Sequence, residues 1–422
     1  MPTTKAVEAL RNTIGPGLIM AGAAIGVSHL VQSTRAGAEY GYIMIWLILA
    51  ACVFKYPFLE YGPRYAAATG ESLLEGYQRL GRWALVVFAI VTAGTMFAIQ
   101  ASVTAVTAGL AGFVFGITPN LTIWSGVVLL VCILLLLSGR YRLLDRTMKV
   151  IMAALAVATI IAAVMALYVF DPGEAPVVTE APALLTVGGL TFALALMGWM
   201  PIPLDVAVWH SLWSLERRAE SGHEPSVRDA VTDFHLGYWL SFVLAVLFLI
   251  LGAVVMYGTG ETFPAEAVAF STRLIDLYTA TLGAWSGPIL GVIALTTMLS
   301  TTLAVTDAYP RVIQRFMAIA GGRMGRWAEQ RLGYAAAILL VPAGALIVIT
   351  FFSGSLTALV DVATVLSFLS APILGYMNLR VVTSSNMPAF ARPSKAMHLL
   401  SIAGLVFLCT FCILFLYMFF IG

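Results

Sequence analysis

Met197-Gly198-Trp199-Met200-Pro201-Ile202-Pro203-Leu204-Asp205 forms the middle of a thirty-residue stretch, 184–213, that contains no Lys, Arg or Glu. As one helix it would run roughly 45 Å, longer than the ~30 Å hydrocarbon core of a bilayer. Two prolines stand two apart at its centre. Each removes a backbone donor and crowds the preceding turn, so the helix is expected to break there. A carboxylate two residues after the break is costly in hydrocarbon unless it faces a cavity or a partner. A broken span carrying a buried acid is how many secondary transporters build a substrate site. The bland alternative is a proline kink with Asp205 satisfied by a neighbouring helix.

Composition sets the class. Hydrophobic residues make up 60% of the chain and charged residues 10%, with a mean hydropathy of +0.95. A soluble domain carries roughly 25% charged residues, so this is a polytopic, all-α integral membrane protein. Runs long enough to span recur about eleven times: 14–34, 42–63, 82–113, 119–139, 147–170, 184–212, 231–257, 284–310, 333–352, 355–379 and 396–421.

Lys and Arg orient the chain. With the N-terminus cytoplasmic, the inner segments hold twenty of the 23 basic residues, the outer segments hold Arg35 and Arg273, and Lys55 lies within a span. The expectation is an N-terminus inside, a C-terminus outside and residence in the plasma (inner) membrane. No cleavable signal peptide is expected, because the first apolar run lacks a small-residue cleavage pattern after it. Cys52, Cys132, Cys409 and Cys412 all fall inside predicted spans. Core packing is expected for them rather than zinc or redox chemistry.

The first span contains Gly15, Gly17, Gly22 and Gly26, and its centre reads Ala24-Ile25-Gly26-Val27-Ser28-His29. Glycine, serine and histidine halfway along a span suggest either an unwound segment or a close helix crossing. With an unperturbed pKa near 6.5, His29 is also a candidate pH gate. Lys55 must reach the interface or find a partner. A structural ion pair is expected for it, with Glu60 on roughly the same side. The residues after span six, up to Asp233, read as a solvated connection, and 261–276 as a partly amphipathic outer segment. Asp307 precedes Arg311 by four residues, and Asp361 opens span ten. Each reads either as an interfacial residue or as part of a translocation path. The sixth span enters five after the first and therefore from the opposite side. Small-residue-rich or broken spans at matching positions point to an inverted five-plus-five repeat with the site at its interface. The halves are 14–170 and 184–379, with 396–421 as an extra helix in a single transmembrane domain, 1–422.

Several motifs resemble the natural resistance-associated macrophage protein (NRAMP) family of divalent-metal transporters. Gly15-Pro16-Gly17-Leu18-Ile19 and Ala36-Gly37-Ala38-Glu39-Tyr40-Gly41-Tyr42 are similar to the two ends of that family's first span. Ala68-Thr69-Gly70-Glu71, Tyr141-Arg142-Leu143-Leu144-Asp145, His210-Ser211, Ser300-Thr301-Thr302-Leu303 and Val365-Leu366-Ser367-Phe368 with Pro372 resemble parts of its second, fifth, sixth, eighth and tenth. The resemblance implies a LeuT-like (APC-type) fold, alternating access, and a metal site where spans one and six unwind. The family's Asp-Pro-Gly-Asn falls on Gly26, Val27, Ser28 and His29. Its Met-Pro-His falls on Met200-Pro201-Ile202 or, counted back from His210-Ser211, on Pro203-Leu204-Asp205. The metal-binding aspartate is thus Gly26 here, and the acids of the family's third span are not evident.

The expected substrate site is therefore Gly26, Ser28, His29, Trp199, Met200 and Asp205. His29, Met200 and Asp205 are the candidate metal ligands, and His210, Thr301 and Asp307 are expected along the translocation path. A small organic solute, such as an amino acid or amine, is the alternative cargo, with Trp199 offering a cation–π face. A non-transporting receptor-like homologue is the third reading. Metal use requires the three ligands to converge on an ion-sized hollow, whereas an organic solute needs about 300 Å³ or more. The scaffold reading requires no hollow at all. No nucleophile–base set or phosphate cradle is present in the cytoplasmic loops, so no enzymatic activity is expected. The implied partners are the lipid bilayer and a small ion or solute, without nucleic acid. No cofactor is expected beyond a transported metal ion, and a homo-oligomer is left open.

Overall fold

The computed structural model describes residues 15–116, 120–138, 141–169, 184–321, 325, 331–352 and 354–421, and every regular element among them is helical. The first span is built from α1 (Pro16–Ala24), a wide π-type segment (Val27–Ser33) and α2 (Thr34–Tyr40). Gly41, at φ +67°, turns the chain into α3 (Met44–Thr69), followed by the short α4 (Leu73–Leu80) and α5 (Arg82–Phe115). Next come α6 (Leu121–Leu137) and α7 (Tyr141–Val169). The sixth span is split into α8 (Val187–Trp199) and α9 (Val206–Ser221). The remaining helices are α10 (Val227–Met256), α11 (Ala267–Leu282), α12 (Gly287–Ala320), α13 (Arg331–Phe351), α14 (Leu356–Val382) and α15 (Lys395–Ile421).

Among the described residues, seven helical stretches are long and apolar enough to cross a membrane, and three shorter apolar helices join them. The first stretch, Pro16–Thr69, has 54 residues, which as one rod would be about 81 Å, nearly three bilayer cores. It holds two passes with the turn at Gly41, which brings the total to the expected eleven. Large apolar side chains such as Trp46, Ile90, Ile123, Leu339 and Ile413 stay exposed, a surface suited to lipid rather than water. Both breaks, in spans one and six, lie five passes apart in an inverted five-plus-five arrangement.

Glycines set how closely span one meets span seven. A Cβ on Gly17 would lie 2.1 Å from the Asp233 carbonyl oxygen, and one on Gly237 would lie 2.1 Å from that of Gly17. Gly37 against Leu249 and Gly252 against Thr34 repeat the arrangement one level away. Backbone thus packs on backbone, the use small residues serve in membrane helix contacts. The tight crossing and the unwinding, set out as alternatives from the sequence, occur together.

Asp233 corrects the expectation of a solvated connection. It lies inside α10, 3% exposed, and its carboxylate accepts from the Gly15 and Gly17 amides at 3.0 and 2.6 Å. Those are orphan donors at the start of α1, and an acid there also meets the positive end of the helix dipole. Asp233→Ala is expected to lower stability by about 1–2 kcal/mol. An unchanged melting temperature would show that α1 does not depend on this cap.

The outer segment forms α11, with Phe270, Leu274 and Tyr278 buried. Cys52, Cys132 and Cys412 are buried, Cys409 is exposed, and all four are free thiols. The side chains of 139–146 and the acidic segment 171–180 lie outside the described residues.

Candidate functional site

The two breaks have different local causes. In span one, α1 ends at Ala24, and Gly26 takes φ −130° and ψ −126°, far from helical values. In span six, residues 200–205 are not helical, and the Met200–Pro201 peptide is cis. Helix resumes as the Val206, Ala207 and Val208 amides reach the carbonyls of Pro203, Leu204 and Asp205. A break leaves the last carbonyls of α8 without intrahelical donors.

Between the breaks, α5 and α12 lies a small, partly open hollow of about 20 Å³, lined by Val27, Ser28, Ile99, Val103, Trp199, Ile202, Pro203, Val206, Trp209, Thr301 and Val305 among others. One water needs roughly 10–15 Å³ on this measure, so the space is that of one water or one ion. Its lining is mainly apolar. The polar groups that face it are hydroxyls already engaged. Ser28 Oγ donates to the Ala24 carbonyl at 2.6 Å, and Thr301 Oγ1 donates to the Gly22 carbonyl at 3.0 Å. Trp199 contributes its ring to the wall while its Nε1 donates to Ser367 Oγ at 2.7 Å.

Of the expected site residues, the structure brings Ser28, Trp199 and Thr301 together on this hollow. His29, Met200 and Asp205 do not line it, and each is held by a different neighbour. The buried His29 ring sits between Ser28 Oγ at 2.8 Å and the Ser241 carbonyl of α10 at 2.8 Å. Met200 Sδ accepts from Ser33 Oγ at 3.6 Å. Asp205, 5% exposed, accepts from the Tyr309 hydroxyl at 3.0 Å through Oδ2, whereas Oδ1 is buried with no hydrogen-bond partner. Among the described residues no group of three or more His, Cys, Asp and Glu side chains could hold a metal ion.

Gly26, where the resemblance placed an aspartate, has no room for a side chain. A Cβ there would lie 2.5 Å from Thr301 Oγ1 and 2.7 Å from Thr301 Cγ2. Span eight fills that volume.

The path residues divide. His210 is buried against the Phe234 ring, and neither of its ring nitrogens has a partner. Asp307 bonds Arg311 Nε at 2.7 Å and the Tyr334 hydroxyl at 2.8 Å, so it serves in an ion pair. Charge clusters flank the hollow along the spans. At one end Arg35 ties span one to Asp361 of α14 at 2.8 Å and to Glu39 at 3.2 Å. At the other, Arg64 pairs with Glu60, and Arg315 pairs with Glu75. A second cavity of about 170 Å³ opens at that end, with Pro16, Ser214, Arg217, His223 and Asp233 in its wall.

Lys55 departs most from expectation. Its predicted partner Glu60 pairs with Arg64, and among the described residues no acid forms an ion pair with the ammonium. Lys55 Nζ instead donates to four backbone carbonyls: Met197 at 3.1 Å, Gly198 at 2.9 Å, Met200 at 2.9 Å and Ile202 at 2.7 Å. Its depth in a span was the only sequence signal, since backbone acceptors leave no residue-type signature.

The profile described as natural resistance-associated macrophage protein-like matches residues 17–418. An uncharacterized protein of Pasteurella multocida is 33% identical over 405 residues, covering 96% of this chain and 91% of that one. A metal transporter of rice, Oryza sativa subsp. japonica, is 26% identical over 327 residues, 72% of this chain and 56% of the rice protein. Among solved structures, the manganese transporter of Eremococcus coleocola superposes with a TM-score of 0.74 at 17% identity, over 99% of this chain and 88% of that one. With a match across nearly its whole length, this chain belongs to the natural resistance-associated macrophage protein-like (Nramp) family.

Proposed function

We propose that the protein is a secondary transporter that carries a divalent metal ion across the membrane by alternating access, through the hollow between the two breaks. The observation that supports this most is the hollow's size. About 20 Å³ suits one ion, whereas an amino acid or amine needs a far larger cavity. The rice and Eremococcus relatives, a metal transporter and a manganese transporter, agree with that choice.

Asp205 supplies the negative charge. It is flanked by Val206 and, two residues back, Pro203, which both line the hollow. Its buried Oδ1 has no partner, and such an atom in a native interior calls for a water or an ion. Ser28 and Thr301 supply the hydroxyls of the hollow's lining. A site with one carboxylate holds a dication more weakly than one with two, and soft sulfur from Met200 favours a transition metal over magnesium or calcium if the break closes around it.

The repeats are assigned to 14–170 and 184–379, with 396–421 appended. The basic residues support a cytoplasmic N-terminus, an outer C-terminus and residence in the plasma (inner) membrane. Reconstituted protein is expected to take up manganese saturably, with other divalent metals competing and amino acids or amines having no effect. Uptake of an organic solute without uptake of any divalent metal would overturn the assignment.

A further inference from the structure

The four carbonyls around Lys55 form a cation site in their own right. Met197 and Gly198 lie in the last turn of α8, where carbonyls lack intrahelical donors and the helix dipole is negative. Met200 and Ile202 belong to the break itself. All four oxygens lie within 2.7–3.1 Å of one nitrogen. The side chain that carries it is 0% exposed and comes from α3, 142 to 147 residues away in sequence. Half-helix C-termini and unwound carbonyls coordinate monovalent coupling ions in transporters built on broken helices. Rings of backbone carbonyls do the same for potassium in channel filters. An ammonium is close to potassium in size and charge.

We propose that the carbonyl cage at the end of α8 is a monovalent-cation site whose permanent occupant is the chain's own ammonium, Lys55. The lysine is a tethered stand-in for a soluble coupling cation. A buried charge without an acid in contact is held here by dipoles alone, so removing it strands four inward-facing carbonyls. Asp205 carries the opposite charge in the same interior without touching Lys55. The two leave the unloaded carrier without net charge at this depth, which lowers the cost of moving an empty site through hydrocarbon. An external cation is then not needed to complete the break.

The test requires no cargo and so is independent of the metal assignment. Purified wild-type protein, Lys55→Ala and Lys55→Met are melted in choline chloride and in rising ammonium, potassium or sodium chloride. Wild type is expected to melt at the same temperature in all four salts. Lys55→Ala is expected to melt roughly 3–6 °C lower in choline, and to recover most of that loss, saturably, in ammonium or potassium. Lys55→Met, which fills the space with an uncharged chain, is expected to stay low in every salt. If Lys55→Ala yields no folded protein in choline, recovery of folded protein when it is extracted in ammonium supports the proposal, and equal failure in both salts overturns it. A Lys55→Ala protein as stable as wild type, or one destabilised and restored by none of the cations, also overturns it.

Discussion

Asp205→Asn is expected to reduce metal uptake by about 100-fold while leaving the folded protein at wild-type yield. The first half follows from charge. Asn keeps the shape of Asp and can still accept from the Tyr309 hydroxyl, now 3.0 Å from Oδ2, but it cannot offset a dication. Removing one partner from a buried charged contact costs about 2–5 kcal/mol, which corresponds to losses of tens-fold to thousands-fold. The second half follows from what Asp205 lacks. Oδ1 has no hydrogen-bond partner, so little native bonding is lost when the carboxylate becomes an amide. The variant is also relieved of a buried carboxylate's desolvation, which offsets the exposure of Lys55 to an interior without a compensating charge. Uptake in liposomes, measured beside the melting temperature, separates the two effects. Wild-type uptake by Asp205→Asn would remove this residue from the transport path.

Gly26→Asp is expected to damage the protein rather than restore a metal ligand. The new Cβ would lie 2.5–2.9 Å from Thr301 Oγ1, Cγ2 and Cβ. Thr301 cannot swing aside freely, because its hydroxyl is spent on the Gly22 carbonyl. Overpacking of this kind costs about 1–3 kcal/mol, and a carboxylate forced into the same apolar wall adds several more. The double variant Gly26→Asp/Thr301→Gly is expected to recover the overpacking share of the loss, less about 1 kcal/mol for glycine within a helix, while the cost of the buried carboxylate remains. A single variant that melts like wild type would show that span eight does not occupy this volume. In this chain a side chain at 26 and the side chain of Thr301 compete for the same volume.

Much of this architecture was legible from local signals. Prolines 201 and 203 announced the break, and α8 ends at Trp199 two residues before the first of them. Asp307 and Arg311, four apart, pair as helix spacing suggests. The glycines of span one announced a close crossing, and reciprocal contacts with Gly237 and Gly252 provide it. The inside of the site was far less legible. His29 and Asp205 looked like members of one ligand set because both are polar and near a break. In the structure His29 is bonded to a carbonyl of span seven and Asp205 to a hydroxyl of span eight. Lys55 looked like half of an ion pair because Glu60 is near in sequence, yet Arg64 takes that acid with a bidentate grip.

By itself the sequence determined that the chain spans a bilayer about eleven times and that the sixth span breaks at its prolines, while it left the centre of the first span open between unwinding and a close crossing. Apolar run length and the sterics of proline and glycine act within a few residues, so they can be read without knowing what packs against them. Only the tertiary structure decided what fills the interruptions: an ammonium from the second span on the carbonyls of the sixth, and a threonine from the eighth beside Gly26. Those partners are distant in sequence, and half of each contact is backbone, which every residue carries alike.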